Sequence, residues 1–390
     1  MRDLAYFDAA DCDLAAFAAL TGQRLDPGSV PHAAEGVRNV PVYDLAALGG
    51  TLAEPARRRA LMGEWADVLG RSAGVLVLRA AYPDTAPVDA ATAIYDRLIA
   101  EEKAAGGGGA DHFATAGAND RIWNSLQKLC EADPEVFALY FGNDAIAAVC
   151  EAWLGPGYQM TAQVNLVRPG GAAQTAHRDY HLGFQTEEVA ALFPAHAHDL
   201  SAVMTLQGAV AHCDMAVEAG PTKLLPFSQL FRPGYMAYRR AEFRDFFEAH
   251  HVQLPLAKGD ALFFNPALFH AGGENRTADV QRLANLLQVS SAFGRAMEAV
   301  DREGMCRRLY PAVQSLRAAG RLGHAGTEAA IAAAAEGYAF PTNLDTDPPL
   351  GGLAPETQAA LFRRALAPGW APAEFAAAVA PHPPRRQPCR

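Results

Sequence analysis

Between residues 158 and 291 the chain runs as short alternating stretches separated by glycine turns, with no internal sequence repeat. In QMTAQVNLVRPGG, Gln163, Asn165 and Val167 fall on one face and Ala162, Val164 and Leu166 on the other, the period of two that marks a strand. SAVMTLQGAVAHC, TKLLPF, HHVQLPL, GDALFFN and LANLLQVSSAF are similar short strands. Pro169-Gly170-Gly171, Gly220-Pro221, Gly259-Asp260 and Gly272-Gly273 punctuate them. Strands of this size between such turns point to a β-sandwich or jelly roll.

Either side of this stretch the pattern is different. RNVPVYDL reads as extended, LAEPARRRALMGEWADVLGRSAG as a helix closed by Gly74, and GVLVLRA as a buried strand. PVDAATAIYDRLIAEEKAA is an amphipathic helix with Pro87 near its start, and the four glycines at 106–109 form a flexible connection. One further helix is predicted over 134–154, ending at Gly155-Pro156. Beyond Arg302 the chain returns to helix in AGTEAAIAAAAEGYAF and PETQAALFRRALA, with irregular PTNLDTDPPLGG between them. The proline-rich tail PHPPRRQPCR reads as disordered. The expected class is α+β with a mainly β core. A mixed helical and strand region (1–155) packs on the core (156–300), followed by a helical extension (301–390). That extension either covers the mouth of a site or forms an oligomer interface.

Composition narrows the function classes. A formal net charge of −10 argues against a nucleic-acid protein, which carries a basic face. The first residues, MRDLAYFDAADCDLAAF, place acids where a signal peptide needs an apolar run. No window reaches the roughly 18 apolar residues of a membrane span. The six cysteines show no CxxC pair, which suits neither a zinc knuckle nor a disulfide framework. The expectation is a cytoplasmic protein with reduced thiols, acting on a small molecule, with no nucleic-acid or membrane partner.

The chemistry concentrates in QTAHRDYHLGFQ. In an extended segment, His177 and Asp179 point to the same side, so one imidazole and one carboxylate can reach a common point. Two histidines and a carboxylate with open positions form the facial triad of non-haem Fe(II) oxygenases. His270, in KGDALFFNPALFHAGGENRTADVQR, follows a strand-like run and precedes a glycine turn, which makes it the candidate third ligand. Arg282 comes twelve positions later. Directed into a barrel it needs an anion, and its planar fork suits a carboxylate. A dicarboxylate can therefore span from metal to arginine.

These segments carry a resemblance. From about residue 74 to 291 the chain resembles the phytanoyl-CoA dioxygenase family of Fe(II)/2-oxoglutarate-dependent oxygenases. AHRDYHLGFQ is similar to its His-x-Asp motif, VEAGPTKLLPFSQ to its ENGPT…PGSH segment, and GDALFFNPALFHAGGENRTADVQR to its strand, distal histidine and downstream arginine. The resemblance implies a double-stranded β-helix (a cupin-like jelly roll), with His177, Asp179 and His270 as iron ligands. It also implies that Arg282 binds the distal carboxylate of 2-oxoglutarate, and that O2 is consumed. Two departures stand out. PGSH is PFSQ here, so the turn has lost a glycine and a histidine. Gly272 stands where the family often has a hydroxyl residue supporting the cosubstrate, and Thr222 is one replacement. Halogenating relatives carry a small residue where this chain has Asp179, so oxygen transfer is favoured.

Other polar residues have plainer roles open to them. Gln163 and Asn165 contact 2-oxoglutarate or substrate if their face looks inward, and are solvated if it looks outward; inward is favoured. His181, two residues past Asp179, is a structural or a substrate-facing histidine and is placed on the substrate side, since a fourth ligand would close a position the chemistry needs. Tyr180 is placed with it, although alternation turns Tyr180 and Arg178 away from the ligands. Arg178 is then a surface or packing residue. His212 and Asp214 form a second His-x-Asp without a partner histidine and arginine of its own. His196 and His198 read as loop histidines, His250 and His251 as a helix end, and Asn275 and Arg276 as turn caps. The expected activity is hydroxylation of an aliphatic carbon coupled to decarboxylation of 2-oxoglutarate to succinate. Desaturation, epimerisation or cyclisation use the same ligands. A catalytically silent 2-oxoglutarate sensor or a cupin-like metal-binding protein are the alternatives from other classes.

Overall fold

Two nine-residue strands, Gln159–Val167 and Arg282–Ser290, pair antiparallel along their whole length, from Arg282↔Val167 to Ser290↔Gln159. Their unbroken alternation makes them the spine of a sheet. The computed structural model describes residues 5–105 and 119–387, with ten strands among them: β1 (Glu35–Val37), β2 (Val40–Asp44), β3 (Val75–Arg79), β4 (Asn119–Ile122), β5 (Gln159–Val167), β6 (Thr205–Ala211), β7 (Lys223–Leu224), β8 (Ala261–Phe264), β9 (His270–Ala271) and β10 (Arg282–Ser290). Eight of them form one sheet in the order β1-β2-β3-β8-β6-β10-β5-β4, and β7 and β9 form a second, smaller one. Bridges at His177↔His270, Met215↔Leu256 and Leu224↔Val252 extend the smaller wall. The result is a jelly roll with a cavity between its two walls.

Both faces of the large sheet are covered, so β5 and β10 are buried almost throughout. Helices Pro55–Arg71, Ser125–Ala132, Asp144–Leu154 and His324–Ala334 pack on the face away from the cavity. There Ala162, Val164 and Leu287 join one continuous apolar core. The register places Gln163 opposite Leu286 and Asn165 opposite Ala284 on the cavity face.

Several expectations need correction. The β core is not confined to residues 156–300, because β1 to β4 all belong to the large sheet and β3 pairs directly with β8. The helix expected over 134–154 is two, Pro134–Phe141 and Asp144–Leu154. Asn143 ends the first by capping the second, its Oδ1 accepting from the amides of Ala145 and Ile146. The tail expected to be disordered forms a helical turn at His382–Arg385 with His382 buried. Asn343 and Thr346 donate to the carbonyls of Gln387 and Arg385 and so hold it. The glycines at 106–109 lie outside the described residues. Among the described residues no helix is long and apolar enough to cross a membrane.

The extension after residue 301 packs on the helical side. Buried Arg302 donates to the carbonyls of Met160, Ala333 and Ala334, tying the extension to β5. No residue beyond Met297 lines the cavity among those described, so the extension does not cover its mouth.

A polar network stiffens the back of the sheet. His212 is buried between Tyr140 Oη and Thr92 Oγ1, each at 2.8 Å. Asn285 Nδ2 donates to Tyr140 Oη and Tyr95 Oη, while its Oδ1 accepts from Ser125. Asp214 accepts from the Lys258 amide instead, so the second His-x-Asp is structural. Burial pushes His212 from 6.5 down to about 3. Between those values the unfolded chain binds a proton that the folded chain refuses. Stability is therefore complete above pH 6.5 and falls as the pH drops, by about 1.4 kcal/mol per unit from this group. In urea unfolding, His212→Gln should shrink the stability lost between pH 7 and 5 by roughly 2 kcal/mol; an unchanged difference would contradict the assignment.

Candidate metal centre

The chain enters the site through Gln174, whose Oε1 accepts from the Gly272 amide at 2.8 Å. His177 then pairs with His270: the His177 amide donates to the His270 carbonyl at 2.9 Å, and the His270 amide returns to the His177 carbonyl at 3.1 Å. This bridge brings residues 93 positions apart side by side, with ring centroids 4.4 Å from each other and the rings tilted by 59°. The Asp179 amide donates to Pro266, so the third side chain is anchored to the same connection.

Each imidazole is oriented by its own backbone. His177 Nδ1–H donates to Thr175 and His270 Nδ1–H to Leu268, both at 2.8 Å. The proton is thereby kept on Nδ1 and the Nε2 lone pair is left facing inward. Asp179 Oδ2 lies 3.3 Å from His270 Nε2 and 3.7 Å from His177 Nε2. All three donor atoms fall within 4.8 Å of one another. Three electron-pair donors converging without a cation repel one another, and two nitrogens with one oxygen suit a divalent first-row metal. The donor set fits iron.

The surroundings tune these groups. Burial alone would raise the Asp179 carboxyl, but the two imidazoles set against it and a hydrogen bond from Gln207 outweigh it. The carboxylate is held well below its ordinary range. Burial lowers His177, which keeps it neutral and able to ligate.

The three ligands open on a cavity of about 270 Å³ between the two walls. Gln163, Asn165, Thr222 and Arg282 all line it, so the structure brings these sequence candidates together with the triad. Buried Arg282 donates through Nη1 to the carbonyls of Gly220 and, at 3.1 Å, Gly273. The backbones cross closely there: Gly220 holds φ +76°, and a Cβ on it would lie 2.3 Å from the Glu274 carbonyl oxygen. Burial lowers the guanidinium to about 10, leaving it cationic near neutrality.

Tyr180 and His181 are not among the lining residues. The chain leaves the extended conformation at φ +64° for Tyr180 and +43° for His181, so the period of two that would align His181 with Asp179 is broken. His181 begins a short turn and is exposed, while Tyr180 is buried outside the cavity. Their assignment to the substrate side is not supported.

Arg178 is a packing residue, although it is not on the surface. Its guanidinium is buried, donating to the carbonyls of Ser228 and Phe231 and lying over the rings of Tyr235 and Phe269. His198 is also buried, with Nε2 donating to Ala190, rather than a solvated loop residue. Asn275 is fully buried and binds the carbonyls of Val167 and Val280, so it holds its turn together.

Sequence reasoning missed Gln207, Gln174, Gln288, Arg121 and Trp123, all of which line the cavity. For the strand residues the signal was the alternation itself. Once Gln163 faces inward, the register puts Leu286 and Ala209 on the same face, and Gln288 and Gln207 two residues along.

A profile of the family described as Phytanoyl-CoA dioxygenase (PhyH) matches residues 70–284, a span that includes the triad and Arg282. Similar solved structures include the non-heme alpha ketoglutarate dependent epimerase SnoN from nogalamycin biosynthesis, at 19% identity. It aligns over 60% of this chain and 84% of its own, with a TM-score of 0.40. The carbocyclase SnoK from nogalamycin biosynthesis gives 18% identity, 62% and 89% coverage and a TM-score of 0.44. HygX from Streptomyces hygroscopicus, with nickel and 2-oxoglutarate bound, gives 16%, 59% and 87%, and 0.42. No curated protein matches the sequence.

The ligand segment depends on Arg178 sitting against Gly234. A Cβ there would lie 2.0 Å from Arg178 Cζ, so Gly234→Ala must displace a buried guanidinium from two carbonyls. We expect a loss of about 3 kcal/mol or more in urea unfolding, and a change under 1 kcal/mol would show that the contact is easily relaxed.

Proposed function

The chain belongs to the phytanoyl-CoA dioxygenase family, and from that premise we propose that it is an Fe(II)/2-oxoglutarate-dependent dioxygenase that hydroxylates an aliphatic carbon of a small organic molecule. The observation that carries this reading is the convergence of His177, Asp179 and His270 within 4.8 Å, in one cavity with a buried arginine. Iron bound there would supply O2 activation coupled to oxidative decarboxylation of 2-oxoglutarate to succinate.

The residues divide the remaining work. Thr175 and Leu268 fix the imidazoles so that Nε2 stays unprotonated, and Gln207 holds Asp179 Oδ2 in place. Arg282 binds the distal carboxylate of the cosubstrate, for which its fork provides a bidentate partner. Between Arg282 and Gln288 the cavity face of β10 carries Ala284 and Leu286, opposite Ala211 and Ala209 of β6. These apolar rungs suit a dicarboxylate's methylenes and exclude water from them. Asn165, one rung from Arg282 on the adjacent strand, and Thr222 complete the cosubstrate end.

Fe(II) and 2-oxoglutarate added without oxygen should give the weak visible charge-transfer band of the chelate, and no band would refute the reading. Oxygen-dependent succinate formation then separates an enzyme from a silent sensor. Arg282→Ala should raise the half-saturating 2-oxoglutarate concentration about a hundredfold, the effect of roughly 3 kcal/mol, while iron binding changes only a few-fold. Arg282→Lys should recover part of the loss. Equal losses of iron and 2-oxoglutarate would remove Arg282 from its role.

A further inference from the structure

The end of the cavity opposite Arg282 differs in character from the rest of it. Gln207 and Gln288 face each other across β6 and β10, and Gln163 lies diagonally across from Gln288 on β5. The Gln163 and Gln288 amides pair reciprocally, Nε2 to Oε1, at 3.4 Å in both directions. Arg121 Nη1 donates to Gln163 Oε1 at 3.1 Å and lies over the Trp123 ring at 5.1 Å. Gln163, Gln207 and Gln288 are each more than nine-tenths buried. Gln207 spends its Nε2 on Asp179, and its Oε1 is buried without a hydrogen-bond partner.

A buried amide oxygen left unsatisfied costs about 1–3 kcal/mol, and this one belongs to a cavity-lining side chain that is hydrogen-bonded to a metal-ligand carboxylate. It cannot be rescued by Gln207 rotating, because an exchange of N and O would set an oxygen against Asp179 Oδ2. The missing partner is a donor. The paired amides beyond it are at the long limit of a hydrogen bond, so an incoming hydroxyl can displace either half and both donate and accept. Trp123 adds a flat apolar face at the same end. An acyl chain would leave Gln207 Oε1 unsatisfied and could make no use of the neighbouring amides, so a pocket built this way rejects it.

We propose that Gln207 is a specificity-determining residue whose Oε1 accepts a hydrogen bond from a substrate hydroxyl, and that Gln163 and Gln288 take the neighbouring polar groups. The substrate class is a neutral, hydroxyl-bearing ring: a sugar, cyclitol or glycoside. This rests on the oxygenase reading above and names the substrate side of that site. Holding Gln207 on Asp179 ties the recognised hydroxyl to a fixed position relative to the metal, so recognition and choice of carbon are set by one side chain.

The test uses the full-length protein with Fe(II) and 2-oxoglutarate under anaerobic conditions. The probes are myo-inositol and methyl α-D-glucopyranoside, with octanoate as the apolar comparison. Perturbation of the chelate band is read alongside tryptophan fluorescence of the metal-free protein. At least one ring probe should perturb both signals in a saturable way, and octanoate should perturb neither. Gln288→Leu, which does not touch Asp179, should raise the half-saturating probe concentration at least about tenfold and leave that of 2-oxoglutarate unchanged. Gln207→Met should weaken the probe by more than it weakens Fe(II). If the wild-type protein forms no chelate band, the oxygenase reading fails and the inference with it. If the band forms but responds only to octanoate, or to no probe, only the inference fails. It also fails if Gln288→Leu leaves the probe response unchanged, or if Gln207→Met weakens Fe(II) alone, since Gln207 would then serve only to hold Asp179.

Discussion

The reciprocal backbone pair between His177 and His270 is the constraint on which the site depends. It closes a loop of more than ninety residues, an entropic cost that a pair of hydrogen bonds cannot meet alone. The cost is met elsewhere, by the full-length pairing of β10 with β5 and its pairing with β6. These pairings fix Arg282 and the amide-bearing face before any metal is present. Once the walls are registered, the bridge needs only to align two short segments. The imidazoles then follow from local geometry, each Nδ1–H finding a carbonyl two residues back in its own chain.

What the sequence made legible was whatever depends on strict alternation or on one residue's chemistry. The facing of Gln163 and Asn165 follows from the period of β5, and the cluster of His177, Asp179 and His270 from the need for three donors around open positions. What it hid were departures from regular backbone and partners supplied from far away. Nothing in RDYHLG announces that Tyr180 and His181 adopt positive φ, because a tyrosine rarely enters that region and histidine's enrichment there is too weak to mark one position. The same blindness hid the break at Asn143, where a cap competed successfully with an otherwise continuous helical pattern. β2 and β3 were legible as an extended stretch and a buried strand, β1 and β4 were not, and the sheet they all join was not legible either.

The two departures from the family pattern have physical explanations. Where the resemblance places a glycine in the PGSH turn, this chain has Phe227 at φ +69°, a conformation that costs a bulky residue on the order of 1–2 kcal/mol. Burial of the ring, the Phe227 amide bond to Ala73 and the Ser228 hydroxyl accepting from Phe269 hold the turn in that shape. At Gly272 a Cβ would lie 2.9 Å from Gln174 Oε1. The place of the missing hydroxyl side chain is thus occupied by a glutamine from the opposite strand segment, and Gln174, rather than Thr222 alone, stands where a supporting contact is expected.

Arg282 shows how such a site can be stable before it is filled. A fully buried cation without a counter-charge is costly, and burial does pull its pKa down to about 10. The Gly220 and Gly273 carbonyls soften that cost without cancelling it, since two dipoles carry less charge than one carboxylate. The cavity therefore retains an unmet demand for an anion at one end. Away from Arg282, Gln207 retains an unmet demand for a neutral donor, and the triad beside it holds a demand for a cation. Each demand has a different sign or chemistry, so the three occupants cannot exchange places. Order in the site is set by what each end lacks, and that asymmetry is written into the alternate residues of β5, β6 and β10.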